Sequence, residues 1–213
     1  KAIGDPKVYG LTATPYRMDH FYRLVGDGWS FQKWKQYETV HTIKMINRYK
    51  ERFWNRILYV VHPKELIDKG YLCPMEYHEY NMLTHFSISF NKSKSEFDME
   101  DFEQKFNPFL DRTAILINDI PTQSLVFCAT IGQAENLAKL TKNSAVVHGK
   151  TTKKERDRIV KGFQDGSIKS AINVGVLLTG FDKPDLQSIV VARPTRSLGL
   201  HCQMLGRGMR IAE

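Results

Sequence analysis

Two arginines stand three residues apart near the end of the chain, in Gly206-Arg207-Gly208-Met209-Arg210, with Gln203 a turn earlier. Arginines at that spacing on a helix share a face, and a guanidinium suits the charge that builds on a transferring γ-phosphoryl group. Taken alone, a basic helix end is the simpler reading. Thr179-Gly180-Phe181-Asp182 follows an apolar run, where an open α/β sheet places its ligands. There a threonine hydroxyl and a bare glycine could approach a phosphodiester, and Asp182 could accept a hydrogen bond from a nucleotide or orient the arginines. By itself such a stretch is more often a turn. Gly149-Lys150-Thr151-Thr152 imitates the end of a phosphate-binding loop, but the position needing the first glycine holds Ser144, inside the preceding strand. Only His148 separates that strand from Gly149, so no loop of phosphate size can form.

These segments need a scaffold, and the second half of the chain reads as one. Apolar runs at Leu125–Cys128, Ser144–Val147, Ser170–Val174 and Ser188–Ala192 predict strands. Helical patterns over Gln133–Lys142, Thr152–Gln164 and Leu198–Gly206 alternate with them, as in a parallel α/β layer covered on both faces. The first 80 residues are less regular. A strand is expected at Val8–Thr12 and a helix around Thr42–Phe53, while residues 91–108 read as a connector with a short helix.

Composition narrows the class. With 42% hydrophobic and 25% charged residues in 213, the chain is neither disordered nor membrane-spanning by pattern, since its longest apolar run, Ile57–Val61, falls far short of the ~20 residues a membrane helix needs. A cytoplasmic protein is expected, in a bacterial or phage-infected cell. Cys73, Cys128 and Cys202 are too scattered for a metal pair or redox motif and are expected to be free, buried thiols; no metal ligands are assigned. The net charge of +8 and pI near 9.3 favour a polyanionic partner. Between Phe31 and Lys64, eight bases and two acids interleave with aromatics; Lys33, Arg48 or Arg52 could meet phosphates and Trp34 or Trp54 a base, although core aromatics with a solvated charged face are the plainer alternative. A chain that opens at Lys1 just before a buried strand, and stops soon after Arg210, also reads as a fragment.

In order along the chain, Leu11-Thr12-Ala13-Thr14-Pro15, Leu125–Cys128, Thr179–Asp182 and Gln203–Arg210 resemble motifs III, IV, V and VI of superfamily 2 helicases and translocases. The resemblance is specific in residues 1–17 and 124–210. Together with Arg193-Pro194-Thr195-Arg196-Ser197, its wording looks closest to RadD-like and phage DNA-repair helicases. It implies two RecA-like lobes, with the tail of the first over residues 1–90, a linker at 91–120 and the second lobe at 121–213. It also implies ATP and Mg²⁺, bound mainly by a preceding segment, and a nucleic-acid partner, DNA by the same resemblance. Carried onto this chain, it makes Arg210 first, and Arg207 second, an arginine finger, with Gln203 near the phosphate or the attacking water. Gly180 and Asp182 would meet the nucleotide, and Thr12, Ala13 and Thr14 would couple nucleotide state to nucleic-acid binding. His148, Gly149, Thr151, Thr179, Thr195 and Arg196 would contact nucleic acid. For residues 148–152 a plain turn and helix cap, with Glu155 in capping-box position, is equally compatible. Without the Walker segments these residues alone are expected to be inactive as an ATPase. A non-catalytic binding module, or the motor of a restriction or remodelling complex, would carry the same motifs.

Overall fold

The computed structural model describes residues 16–26, 36–45, 59–80, 87–93, 96–176 and 183–211, with β1 and β2 described by backbone alone. Residues 1–59 with 197–199 make one compact unit, and 60–196 with 200–213 the other. In the first, β1 (Tyr16–Gly26) and β2 (Gln36–Met45) pair antiparallel from Tyr16↔Met45 to Gly26↔Gln36, with an irregularity between Leu24 and Gly26. The helix expected from Thr42 is therefore a strand over its first residues. Thr39, Val40, Thr42 and Ile43 are β-branched and suit a pleated ladder better than a helix. The expected strand at Val8–Thr12 and, of the basic-aromatic stretch, residues 31–35 and 46–58 lie outside the described residues.

In the second unit a short α1 (Pro63–Asp68) precedes α2 (Met99–Phe106) and α3 (Leu110–Asp119), joined by a 3₁₀ turn carrying Pro108. Then follow β3 (Ser124–Cys128), α4 (Ile131–Leu140), β4 (Ser144–His148), α5 (Lys153–Gln164), β5 (Ser170–Val174), β6 (Ser188–Ala192) and α6 (Leu198–Leu205). The four strands form a parallel sheet in the order β4-β5-β3-β6. Each opens on a serine, and the register aligns all four. The Ser124 and Ser170 hydroxyls meet at 3.0 Å, satisfying each other where water is excluded.

Strand alternation sorts the core onto two faces. Val126, Cys128, Ile172 and Ala192 pack with Phe102, Phe106, Leu110, Ala114 and Ile117 of α2 and α3, and with Ala134 and Leu137 of α4. Leu125, Phe127, Val147 and Ala171 pack with Ile159 and Phe163 of α5 and Met204 of α6. The sheet is thus covered on both sides, as the apolar strands predict. Residues 99–119 are not merely connecting chain: two helices there bury large side chains against the sheet, because Phe102, Phe106, Leu110 and Ala114 recur at helical spacing.

Capping fixes the helix starts. Asp98 accepts from the amides of Glu100 and Asp101, Thr130 from that of Gln133, and Thr152 from that of Glu155. All three cysteines are free, as expected, but only Cys128 is buried; Cys202 is exposed and Cys73 half-buried. Burial pushes the Cys128 thiol up to about 12, so it stays protonated at neutral pH. Among the described residues no helix is long and apolar enough to cross a membrane.

Candidate nucleic-acid interface

Ligands of parallel sheets gather beyond the carboxyl ends of the strands, and here those ends lead into the segments singled out by sequence. After β4 the chain turns tightly on itself. The Thr151 amide donates to the His148 carbonyl at 3.0 Å, the His148 amide to Thr151 Oγ1 at 3.0 Å, and the Lys150 amide to His148 Nδ1 at 3.1 Å. Amides that a phosphate-binding loop would aim outward are spent inside the turn, in agreement with the spacing argument against such a loop. With Nδ1 accepting, a neutral His148 carries its proton on Nε2, and the Thr151 hydroxyl keeps a proton to donate. Gly149 is exposed, and a Cβ there would meet nothing within 4 Å. The cap of α5 is one-sided: Thr152 receives the Glu155 amide, while the Glu155 carboxylate binds Arg158 through two nitrogens at 2.9 and 2.7 Å. That guanidinium holds the Glu155 carboxyl below its usual range.

After β6 the loop is held from far away in sequence. Glu96 accepts the Thr195 hydroxyl on Oε2 and the Arg196 amide on Oε1, each at 2.8 Å. The Arg196 guanidinium lies 4.7 Å from the centroid of the Phe90 ring, which stacks on Phe97 at 5.5 Å. Arg193 Nε is buried with no hydrogen-bond partner. Burial pulls the Arg193 pKa down, and the nearby Glu96 charge opposes that fall.

The arginine segment differs from its expected form. Helix α6 ends at Leu205, and the chain leaves it through bonds from Gly206 to Cys202, Arg207 to Met204 and Gly208 to Leu205. Glycines on both sides of Arg207 end the helix, and Gly208 packs so close to β6 that a Cβ would come within 2.9 Å of Ile189. Arg207 and Arg210 therefore do not share a helical face. Arg207 is half-buried in the turn, Arg210 is exposed beyond it, and Gln203 is exposed on α6. Cys73, following the turn after α1, fixes this tail: its amide donates to the Met209 carbonyl at 2.9 Å and its thiol to that of Gly208 at 3.2 Å.

Residues 112–212 match the helicase conserved C-terminal domain family. They form a superfamily 2 helicase C-terminal domain. The chain is similar to IRC3 of Saccharomyces cerevisiae, named as an ATP-dependent helicase, with 34% identity over 92 residues. That match covers 41% of this chain and 13% of that protein. A 51.5 kDa protein of a Lactococcus phage is 33% identical over 92 residues, covering 41% of this chain and 20% of its own. The DEAD-box ATP-dependent RNA helicase 7 of Arabidopsis thaliana is 27% identical over 85 residues, 40% of this chain and 13% of that one. The chain thus spans a fifth or less of these relatives' lengths. A solved DEAD box protein from Methanococcus jannaschii aligns with TM-score 0.45 and 21% identity, covering 50% of this chain and 31% of that one.

Within the helicase domain, the loops bearing His148, Gly149 and Thr151 and bearing Thr195 and Arg196 leave the same end of the sheet at opposite edges, three strand spacings of ~4.8 Å or roughly 14 Å apart. Thr12, Ala13, Thr14, Thr179, Gly180 and Asp182 lie outside the described residues. Four residues escaped the sequence reading: Glu96, Cys73, Gln133 and Lys183. Gln133, fully buried, accepts the Ala129 amide and donates to the Ala192 carbonyl at 2.7 Å, locking the ends of β3 and β6 together. Lys183, next after Asp182, is 4% exposed; its Nζ reaches Asp185 at 3.0 Å and lies over the Phe163 ring. The Lys183 hydrogen bond holds the Asp185 carboxyl below its usual range. Only the Lys-Pro-Asp spacing hints at this anchor; the partners of Glu96 and Cys73 lie too far along the chain for any local signal.

Proposed function

We propose that this chain is part of an ATP-driven DNA helicase or translocase and combines the tail of one RecA-like lobe, over residues 1–90, with the second lobe. The helicase C-terminal domain, with its candidate residues beyond the carboxyl ends of parallel strands, is the observation that carries this reading. The partner is single-stranded DNA, held by its phosphates. Thr151 and His148 supply a hydroxyl and an imidazole donor at one edge, Thr195 and Arg196 bind at the other, and Thr179, between β5 and β6 in sequence, is a further contact. Gly149 lets a backbone approach closely: nothing in the fold requires a glycine there. The RadD-like wording of residues 193–197 favours DNA and a repair role; the similarity to an RNA helicase makes RNA the alternative outcome of the test.

ATP with Mg²⁺ supplies the β–γ bond whose hydrolysis drives movement. This chain's donor set fits only part of such a ligand, because the Lys150 and Thr151 amides are spent inside the turn and the strand end leaves no cradle for phosphates. Its share is Arg210, then Arg207, countering charge on the γ-phosphate, with Gln203 beside them and Gly180 and Asp182 near the nucleotide. Thr12, Ala13 and Thr14 couple the two ligands. The chain alone therefore lacks appreciable ATPase activity and acts in the cytoplasm as part of a larger motor.

The test is ATP hydrolysis by the two-lobed parent, with single-stranded DNA or RNA, at stated salt. DNA-stimulated turnover that drops by about 10³-fold or more in a folded, ATP-binding Arg210→Ala variant is expected. Unchanged turnover in that variant removes Arg210 from the reaction, stimulation by RNA alone reassigns the partner, and no turnover at all leaves a binding module. In the same assay Gly149→Ala should weaken DNA binding without loss of stability, since its site has room for the methyl group.

A further inference from the structure

The loop after β6 gathers groups that hold oxyanions: a hydroxyl, a main-chain amide and two guanidiniums within residues 193–196. In the structure a single carboxylate takes two of them, the hydroxyl and the amide. Glu96 takes the Thr195 hydroxyl and the Arg196 amide on separate oxygens, each at 2.8 Å, from 99 and 100 residues away. A carboxylate and a phosphodiester both offer two oxygens sharing one negative charge, so each satisfies the same pair of donors.

The Glu96 carboxylate also accepts the Phe97 amide on Oε1, at 3.0 Å, but its segment has further anchors that do not involve that side chain. The Ser89 amide and hydroxyl both donate to Asp101 Oδ2 at 2.6 Å, and the Asp98 amide donates to the Ser89 carbonyl at 2.8 Å. The Asn91 amide donates to the Glu96 carbonyl at 3.0 Å, and the Phe90 and Phe97 rings stack across that bridge. The carboxylate can therefore be withdrawn while its backbone stays anchored. Arg193 Nε, buried without a hydrogen-bond partner, is a further donor in the same loop.

We propose that residues 193–196 are a phosphate seat on the nucleic-acid face and that Glu96 occupies it in competition with a backbone phosphate, so that nucleic acid engages this edge only by displacing the carboxylate. The proposal rests on the nucleic-acid reading of the domain. It makes Glu96 a restraint on binding, released by the ligand that binding requires.

Anisotropy of a labelled single-stranded DNA, at fixed salt, tests it with the chain itself and with Glu96→Gln. Neutralising Glu135, an exposed carboxylate of α4, by Glu135→Gln matches the change in net charge. Glu96→Gln should bind DNA tighter by on the order of tenfold, the size of one charge-assisted hydrogen bond, and Glu135→Gln by far less. A gain shared equally by both variants, or no gain in Glu96→Gln, overturns the competition. Titration with inorganic phosphate, read at the Arg196 amide by NMR, separates the two levels of the argument. If no form binds DNA yet phosphate binds Glu96→Gln tighter than the original chain, the nucleic-acid reading fails and the seat stands; equal phosphate affinity removes the seat. In the unsubstituted chain, DNA or phosphate should shift the Glu96 and Phe97 amides together with that of Arg196. Binding at Arg196 that leaves the Glu96 and Phe97 amides unmoved also overturns the proposal, whether or not the variant folds.

Discussion

The loops after β4 and β6 leave equivalent strand ends at opposite edges of one sheet, yet they are closed by different means. Residues 148–152 satisfy themselves: a hydroxyl, an imidazole nitrogen and a carbonyl of the turn take its own amides, and Thr152 then caps the next helix. Residues 193–196 depend on Glu96, on Phe90 and, behind them, on the helix whose Asp101 pins Ser89. A self-closed turn forms with its neighbours in sequence and costs little loop entropy. A loop closed across a hundred residues exists only once the helical layer has docked. The first is closed by its own residues, and the second by partners that the docked helical layer supplies.

The strongest way to break this contrast is Phe102→Ala, which empties a side chain 1% exposed under the segment that carries Glu96. It should cost about 3–5 kcal/mol in denaturant unfolding. Amide exchange at Thr195 and Arg196 should accelerate more than at His148 and Thr151; equal acceleration would show that the two edges open as one. Thr152→Ala probes the other edge. Losing the cap of α5 should cost about 1 kcal/mol and loosen residues 148–152 while leaving Ser89 and Arg196 unchanged.

The smallest effect is set by pH. Asp101 is held down to about 2 by the hydrogen bond from Lys105 first, then by those from Ser89. A carboxyl depressed in the folded state stabilises fully above its unfolded value of 3.8 and loses that contribution as pH falls toward about 2. The Ser89 and Phe90 resonances should therefore shift with a midpoint near pH 2, and Asp101→Asn should abolish the transition. A midpoint near 4 would mean that Asp101 does not secure this edge.

Much of the fold was written in local pattern. The strands at Ser170–Val174 and Ser188–Ala192 fall where their apolar runs end, because a short run bounded by polar residues has one stable use in a covered parallel sheet. Thr152 as cap and the failure of Gly149–Thr151 as a phosphate loop were legible for the same reason: each is settled within a few residues. The three-residue spacing of Arg207 and Arg210 misled, since helical spacing has meaning only inside a helix and the glycines beside Arg207 end it first. The strand character of residues 42–45 was masked by surrounding basic and aromatic residues, and its β-branched content outweighed them once β1 was there to pair.

Sequence by itself determined the alternating α/β layer, the helix caps and the set of chemically able residues, all products of short-range periodicity and side-chain chemistry. Tertiary structure alone decided which carboxylate faces Thr195 and Arg196, which amide holds the arginine tail, and that residues 99–119 belong to the core. Those partners are brought together by docking of helices onto a sheet, and the energy that selects them is shared among many buried side chains rather than carried by any one stretch of sequence.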